Sequence, residues 1–184
     1  MEHNNILGTV LAGGKSQRFG EDKSQILLAD KILIDYILAE IINEFKEVLI
    51  ISNNSIKFNK SDKISLIGDF KRGLGPLGGV LSAMKWVKDC NKKYQWIATF
   101  PVDTPFFRKE ILEEFIKLID ENESSLFFIK SNNTRHNIFG LWSMKLLDQL
   151  EIDLEKGARK VEMWANSIGA VSYTHLRAHE TADN

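Results

Sequence analysis

Short apolar runs that stop abruptly at glycine- or proline-containing loops, each followed by a stretch with helical spacing, constrain this chain more than any other feature of its sequence. Ile6 to Ala12 is such a run, and it ends at Gly13-Gly14, the pattern of a buried strand opening into a loop. From Leu33 the apolar positions Ile34, Ile37, Leu38, Ile41, Ile42 and Phe45 recur at the helical period, and the β-branched-rich segment Val48 to Ile51 then reads as a strand. Lys63 to Ile67 predicts another strand, followed by the polar, glycine-rich stretch Gly68 to Gly75. Pro76 suits the first turn of a helix, where its missing N–H has no intrahelical partner to lose, and Leu77, Val80, Leu81, Met84 and Val87 form one apolar face as far as Asp89. Trp96 to Phe100 is the next strand, cut off by Pro101, and Ile111, Leu112, Phe115, Ile116 and Ile119 mark a helix beyond Thr104-Pro105. Leu126 to Ile129 and Ile138 to Trp142 predict two more strands, with short helices over Lys145 to Leu150 and Ala158 to Trp164.

Strands alternating with helices predict an α/β fold: a Rossmann-like, mostly parallel sheet with helices on both faces. Ligands of such sheets bind beyond the carboxyl ends of the strands. The loops Gly13 to Lys23, Asp69 to Gly75 and Pro101 to Pro105 therefore carry the functional information. The 184 residues fit one domain, and 43% hydrophobic with 27% charged residues is a globular balance. A formal charge of −1 provides no broad basic field, which argues against nucleic acid as a partner. No apolar run approaches the ~18 to 20 residues that span a bilayer, so no membrane association is expected. With Cys90 as the only cysteine, and no basic segment before a long apolar run at Met1 to Asn5, a cytoplasmic location is expected.

A single domain is expected to occupy residues 1–171. Ser172 to Asn184 lacks strand or helix periodicity and looks like translated vector sequence, so it is expected to be a non-native or disordered tail. His175 and His179 within it are spaced for a helical metal site but lack a third ligand.

Gly13-Gly14-Lys15-Ser16-Gln17-Arg18-Phe19-Gly20, followed by Asp22-Lys23, joins a strand end to glycines, a hydroxyl and three cations. Glycine backbone can approach a phosphate closely and turn successive N–H groups toward one anion, while Lys15, Arg18 and Lys23 could neutralise the remaining charge. A solvated turn with ordinary surface cations is the competing reading of this loop alone. It is not a Walker loop: Gly14-Lys15-Ser16 is present, but Thr9 stands where the first glycine is required, and Val10 to Ala12 belong to a strand. Gly73-Leu74-Gly75-Pro76-Leu77-Gly78 matches the dinucleotide fingerprint by letter, yet Gly68 to Arg72 separates it from its strand. That segment reads better as a loop feeding the N-terminus of the Pro76 helix, opened by Asp69. Pro101-Val102-Asp103-Thr104-Pro105 sets a carboxylate just past a strand, between prolines, where it suits a hard cation such as Mg²⁺ or serves as a cap. Trp86, Trp96, Trp142 and Trp164 read as packing residues, and Arg135-His136-Asn137 as a polar approach to a strand.

Leu11-Ala12-Gly13-Gly14-Lys15-Ser16-Gln17-Arg18-Phe19-Gly20 with Asp22-Lys23, Asp69 to Met84, and Pro101 to Pro105 together resemble the molybdenum cofactor guanylyltransferases of the nucleotidyltransferase superfamily, in order and in spacing. The resemblance runs from about Ile6 to Val171 and implies a sheet of the nucleotide-diphospho-sugar transferase type. It implies transfer of GMP from GTP to the phosphate of molybdopterin, with Mg²⁺ as cofactor and molybdenum cofactor carriers or acceptor enzymes as further partners. On this likeness Leu11, Ala12, Gly13, Gly14 and Lys23 bind GTP, Asp69 contacts the nucleotide, and Asp103 holds the metal. Lys15, Arg18, Lys23 and Asp103 would serve transfer, and Ser52 or Asn53 would face the nucleotide. Asn137 departs from the proline that such proteins often carry. The alternatives are a cytidylyltransferase acting on molybdopterin or another small phosphate, and a nucleotide-binding accessory protein without turnover.

Overall fold

The computed structural model describes residues 3–13, 23–102, 109–131 and 134–174. Strand β1 (Ile6–Leu11) is followed by a 3-10 turn (Lys23–Gln25) and a small hairpin, β2 (Leu27–Leu28) and β3 (Lys31–Ile32), that leads into helix α1 (Leu33–Ile41). Then come β4 (Val48–Ile51), β5 (Ile64–Ile67), α2 (Pro76–Asp89), β6 (Trp96–Pro101) and α3 (Lys109–Glu121). The chain continues through β7 (Leu126–Ser131), β8 (Thr134–Ser143), a 3-10 turn (Met144–Leu146), α4 (Leu147–Glu155), α5 (Val161–Ser167) and β9 (Val171–Thr174).

The main sheet has the order β5-β4-β1-β6-β8-β7-β9. β8 alone runs against its neighbours, so the sheet is mostly parallel, as the sequence predicts. Alternate residues of each strand feed two cores. Ile6 and Val10 of β1, with Val48 and Ile50 of β4, pack under α1 (Ile34, Ile37, Ile41) and α3 (Leu112, Phe115). Leu7, Leu49 and Ile51 point the other way, under α2 (Leu77, Val80, Met84), α4 (Leu150, Leu154) and α5 (Val161, Trp164). Trp96, Trp142 and Trp164 are buried packing residues, and Trp86 packs part-buried against the second core.

Several boundaries differ from the sequence reading for identifiable reasons. α1 stops at Ile41 because the chain turns there: Glu44 N–H and Phe45 N–H both donate to the Ile41 carbonyl, which turns Phe45 into the core below β1. The helices predicted from Lys145 and Ala158 begin later, α4 at Leu147 after a 3-10 turn and α5 at Val161. The domain boundary also moves. Ser172, Tyr173 and Thr174, assigned by sequence to the tail, form β9 with Val171 and pair with Phe127 to Lys130 of β7. The Tyr173 hydroxyl donates to Glu114 of α3 at 3.0 Å. A four-residue edge strand held by backbone pairing and one inward ring has too few positions to show periodicity, which is why it was missed. Residues 175–184, with His175 and His179, lie outside the described residues.

One close approach sets the spacing of β1 and α1. A Cβ on Gly8 would stand 2.8 Å from Cδ2 of the buried Phe45 ring, so only glycine lets that ring lie flat against β1. Gly8→Ala should therefore lower stability by about 1 to 3 kcal/mol, the usual cost of forcing one extra methyl into a packed core. Urea unfolding of wild type and variant measures it, and an unchanged midpoint would show that Phe45 can move aside freely.

Candidate active site

Four parallel strands leave the sheet side by side. Leu11 pairs with both Ile51 and Pro101, and Ile51 pairs with Ile67, so β1, β4, β5 and β6 end at the same level. Two bonds extend the ladder past the strand ends, from Ala12 N–H to the Ile51 carbonyl and from Ser52 N–H to the Ile67 carbonyl, each 2.9 Å. With strands about 5 Å apart, the residues that follow emerge as one row along this edge. β1 is joined by β4 on one side and β6 on the other. The sheet thus changes direction of growth at β1, the place where open α/β sheets form their ligand crevice.

Of the residues singled out by sequence, Leu11, Ala12, Gly13, Ser52 and Asn53 lie at or just past these strand ends, and Asp69 two residues past β5. Leu11 ends β1, Ala12 is buried below it, and Gly13 is exposed at the edge. Gly13 is not among the glycines with positive φ, and among the described residues a Cβ there would meet nothing nearer than the Ile51 carbonyl oxygen at 3.9 Å. Lys23 opens the 3-10 turn that returns the loop to the fold. Gly14, Lys15, Arg18 and Asp103 lie outside the described residues.

Asn53 and Asp69 form a reciprocal pair. The Asn53 amide donates to the Asp69 carboxylate at 2.6 Å, and the Asp69 N–H donates back to the Asn53 side-chain oxygen at 2.9 Å. One carboxamide therefore fixes both the backbone and the carboxylate of the loop after β5, and Asp69 stands beside the end of β4. Ser52 behaves differently. It is buried, and its hydroxyl accepts from Asn54 N–H at 3.2 Å, so it shapes the turn that presents Asn53.

Ser82 is a contributor that sequence reasoning missed. Buried on α2, its hydroxyl donates to the Gly78 carbonyl at 2.7 Å and accepts from Phe70 N–H at 2.8 Å, tying the loop after Asp69 to the helix. A serine four residues after a helical glycine is the only signal of such a back-bond that sequence provides. Gly79 is another. A Cβ there would stand 3.1 Å from Leu11 Cδ2 and 3.9 Å from an Asp69 carboxylate oxygen, so its absence lets the start of α2 close over the strand ends. Gly73 and Gly75 hold φ of +84° and +66°, which side chains resist, and Gly75 opens α2 without a capping side chain. A helix start at this edge favours an anion through its unpartnered N–H groups and dipole.

A row of loops that offers backbone N–H groups, a fixed carboxylate and a helix start, at the switch point of a parallel sheet, is an arrangement for a nucleotide's phosphates and base. Residues 8–168 match the model of the MobA-like NTP transferase domain. The chain belongs to that family. A relative from Halalkalibacterium halodurans, named "Probable molybdenum cofactor guanylyltransferase", is 31% identical over 166 residues, covering 88% of this chain and 81% of its own. The structure is similar in fold to molybdopterin-guanine dinucleotide biosynthesis protein A from Archaeoglobus fulgidus, with TM-score 0.72, 19% identity, and 91% and 83% of the two chains covered. It is also similar to 2-C-methyl-D-erythritol 4-phosphate cytidylyltransferase from Francisella tularensis, with TM-score 0.67, 16% identity, and 93% and 90% covered. Members of this MobA-like family are nucleotidyltransferases, which generally use a divalent metal. No cluster of three or more metal-ligating side chains occurs among the described residues. Among the described residues, no helix is long and apolar enough to cross a membrane.

The Asn53–Asp69 pair is open to direct measurement. Asn53→Ala should weaken nucleoside triphosphate binding by about 1 kcal/mol, the net worth of a typical hydrogen bond, with little change in melting temperature because both groups lie at the surface. Calorimetric titration with GTP checks it, and wild-type affinity in the variant would mean that Asp69 needs no such support.

Proposed function

We propose that this chain transfers GMP from GTP to the terminal phosphate of molybdopterin, in the cytoplasm, with Mg²⁺ as the metal and release of pyrophosphate. The observation that carries the reading is the common level of the four parallel strand ends, which brings the exits of Gly13, Asn53 and Asp69 and the strand leading to Asp103 onto one edge. Family membership and the 31% identity to a guanylyltransferase-named relative supply the chemistry. Carriers of the molybdenum cofactor, or the enzymes that accept it, are proposed as protein partners on the same ground.

In this reaction an anionic phosphate oxygen of molybdopterin attacks the α-phosphorus of GTP in line. The bond from that phosphorus to the bridging oxygen of the β-phosphate breaks, and pyrophosphate leaves with the electron pair. The nucleophile is already ionised, so the demand is for positioning and charge stabilisation rather than a strong base. Backbone N–H groups of the Gly13-Gly14 loop and the cations Lys15, Arg18 and Lys23 would carry the phosphate charge. Asp69, braced by Asn53, would orient the nucleoside end, and Asp103 would hold Mg²⁺. The metal, when bound, supplies further neutralisation of the phosphate oxygens.

If Asp103 holds the metal, Asp103→Asn should fold normally and lose about two to three decades in rate, as when one transition-state charge contact of roughly 3 to 4 kcal/mol is removed. Pyrophosphate release with Mg-GTP and molybdopterin measures it. Near-wild-type turnover would remove Asp103 from the reaction, and no turnover by the wild type in the presence of GTP binding would favour an accessory protein.

Base preference is expected to follow Leu11-Ala12-Gly13-Gly14, the Leu-Ala-Gly-Gly of guanylyltransferases, in place of the Leu-Ala-Ala-Gly of related cytidylyltransferases. Among the described residues, a methyl on Gly13 would meet nothing nearer than the Ile51 carbonyl oxygen at 3.9 Å. Gly13→Ala should lower GTP affinity more than CTP affinity, by about 1 to 3 kcal/mol for one misplaced methyl. Paired titrations decide: equal losses assign Gly13 to the phosphates, and a wild-type preference for CTP would make the chain a cytidylyltransferase.

A further inference from the structure

We propose that Thr99, a wholly buried threonine of β6, is a positioning residue for the acceptor: its hydroxyl pins the bulged opening segment of β8 that walls the acceptor half of the site. The inference rests on the transfer reading given above. In-line displacement requires the acceptor and the departing pyrophosphate on opposite sides of the α-phosphorus. The loops after β1, β4 and β5 form one half of the strand-end row, so the acceptor approaches over the other half, where β6 and β8 adjoin. Because β8 runs antiparallel to β6, its first residues, Thr134 to Phe139, stand at this edge.

Thr134 to His136 pair with β7, but the rest of that segment is not shaped by the sheet ladder. Pairing of β6 with β8 ends at Thr99 and Gly140, although β6 runs on to Pro101. Pairing of β7 with β8 jumps from Phe128 and Gly140 to Ile129 and His136, which leaves Asn137, Ile138 and Phe139 out of register. Bulges of this kind re-aim a strand, and the backbone groups that the ladder no longer pairs need other partners. Here the fixing group is the Thr99 hydroxyl. It donates to the Ile138 carbonyl and accepts from the Trp142 indole N–H at 2.8 Å and from Gly140 N–H at 3.3 Å. One donor and two acceptor positions are the whole capacity of a hydroxyl, and all three are used. Gly140 completes the knot, since a Cβ there would lie 2.9 Å from both the Phe128 ring and the Trp142 indole nitrogen.

The outer end of the segment is held separately. Arg135 donates through Nε to the Asn137 side-chain oxygen at 2.6 Å and through Nη1 to Asn166 of α5 at 2.9 Å, with its guanidinium 5.4 Å from the centre of the Phe128 ring. Asn137, where the sequence departs from the family's usual proline, thus braces the bulge through its side chain. Thr99 touches neither substrate in this arrangement, and its influence is on acceptor geometry alone.

The test titrates the full chain, Thr99→Val and Thr99→Ser separately with GTP and with molybdopterin by calorimetry, beside near-ultraviolet circular dichroism for the fold. Thr99→Val should bind GTP as the wild type does but bind molybdopterin about ten- to a hundredfold more weakly, the scale of effect from misplacing a binding group by about 1 Å. Thr99→Ser, which keeps the hydroxyl, should recover wild-type affinity. If Thr99→Val fails to fold, Thr99→Cys retains a weaker donor and acceptor of similar size and should show a partial loss for molybdopterin only. An unchanged molybdopterin affinity in the folded variant, or equal losses for both ligands, would overturn the inference. A wild-type chain that bound GTP but no molybdopterin would overturn the acceptor reading itself, and the inference with it.

Discussion

The backbone ladder that binds β5, β4, β1 and β6 in parallel, with β1 at its centre, is the constraint on which the rest of the structure depends. Parallel pairing in register makes the four strands end together, and it obliges every connection to travel back across a face of the sheet. Helices must therefore cover the sheet, and both faces must be apolar. The alternation of Ile6 and Val10 with Leu7 and Leu11 meets that requirement within one strand. The same geometry turns the carboxyl edge into a row of loops with exposed backbone, the edge where ligands of such sheets bind.

Two kinds of contact convert that row into a defined site. Close approaches through missing side chains bring elements together: Gly8 admits the Phe45 ring, and Gly79 lowers α2 onto the ends of β1 and β4. Side-chain hydrogen bonds between loops then fix what the ladder leaves free. Asn53 braces Asp69, Ser82 braces the segment after it, and Thr99 braces the start of β8. Each of these groups is polar and small and is hydrogen-bonded to a neighbouring segment, so each specifies a loop shape that apolar packing alone would leave loose.

Much of the site was legible because its signals are local. A glycine pair after a strand and a proline opening a helix each declare a backbone situation within a few residues, and Gly13 and Pro76 lie where those signals put them; the aspartate between prolines, Asp103, lies outside the described residues. Asn53 was legible only through a likeness to other chains, since its role is set by Asp69, sixteen residues later in sequence. Thr99 was not legible at all, and Ser82 only as a serine four residues after Gly78. Within amphipathic or apolar runs they look like tolerated small polar residues, and their partners, Phe70 for one and Ile138, Gly140 and Trp142 for the other, are chosen by the fold.

The sequence by itself determined the class of fold, the order of strands and helices through the core, and the three loops that bear on function, because hydrophobic period, glycine and proline act over a few neighbouring residues. Only the tertiary structure decided the reversal of β8, its bulge, and the recruitment of Ser172 to Thr174 as an edge strand. Those features come from pairings between segments far apart in the chain, where a hydrogen bond or a ring finds its partner through the folded sheet and leaves no periodic trace in either segment.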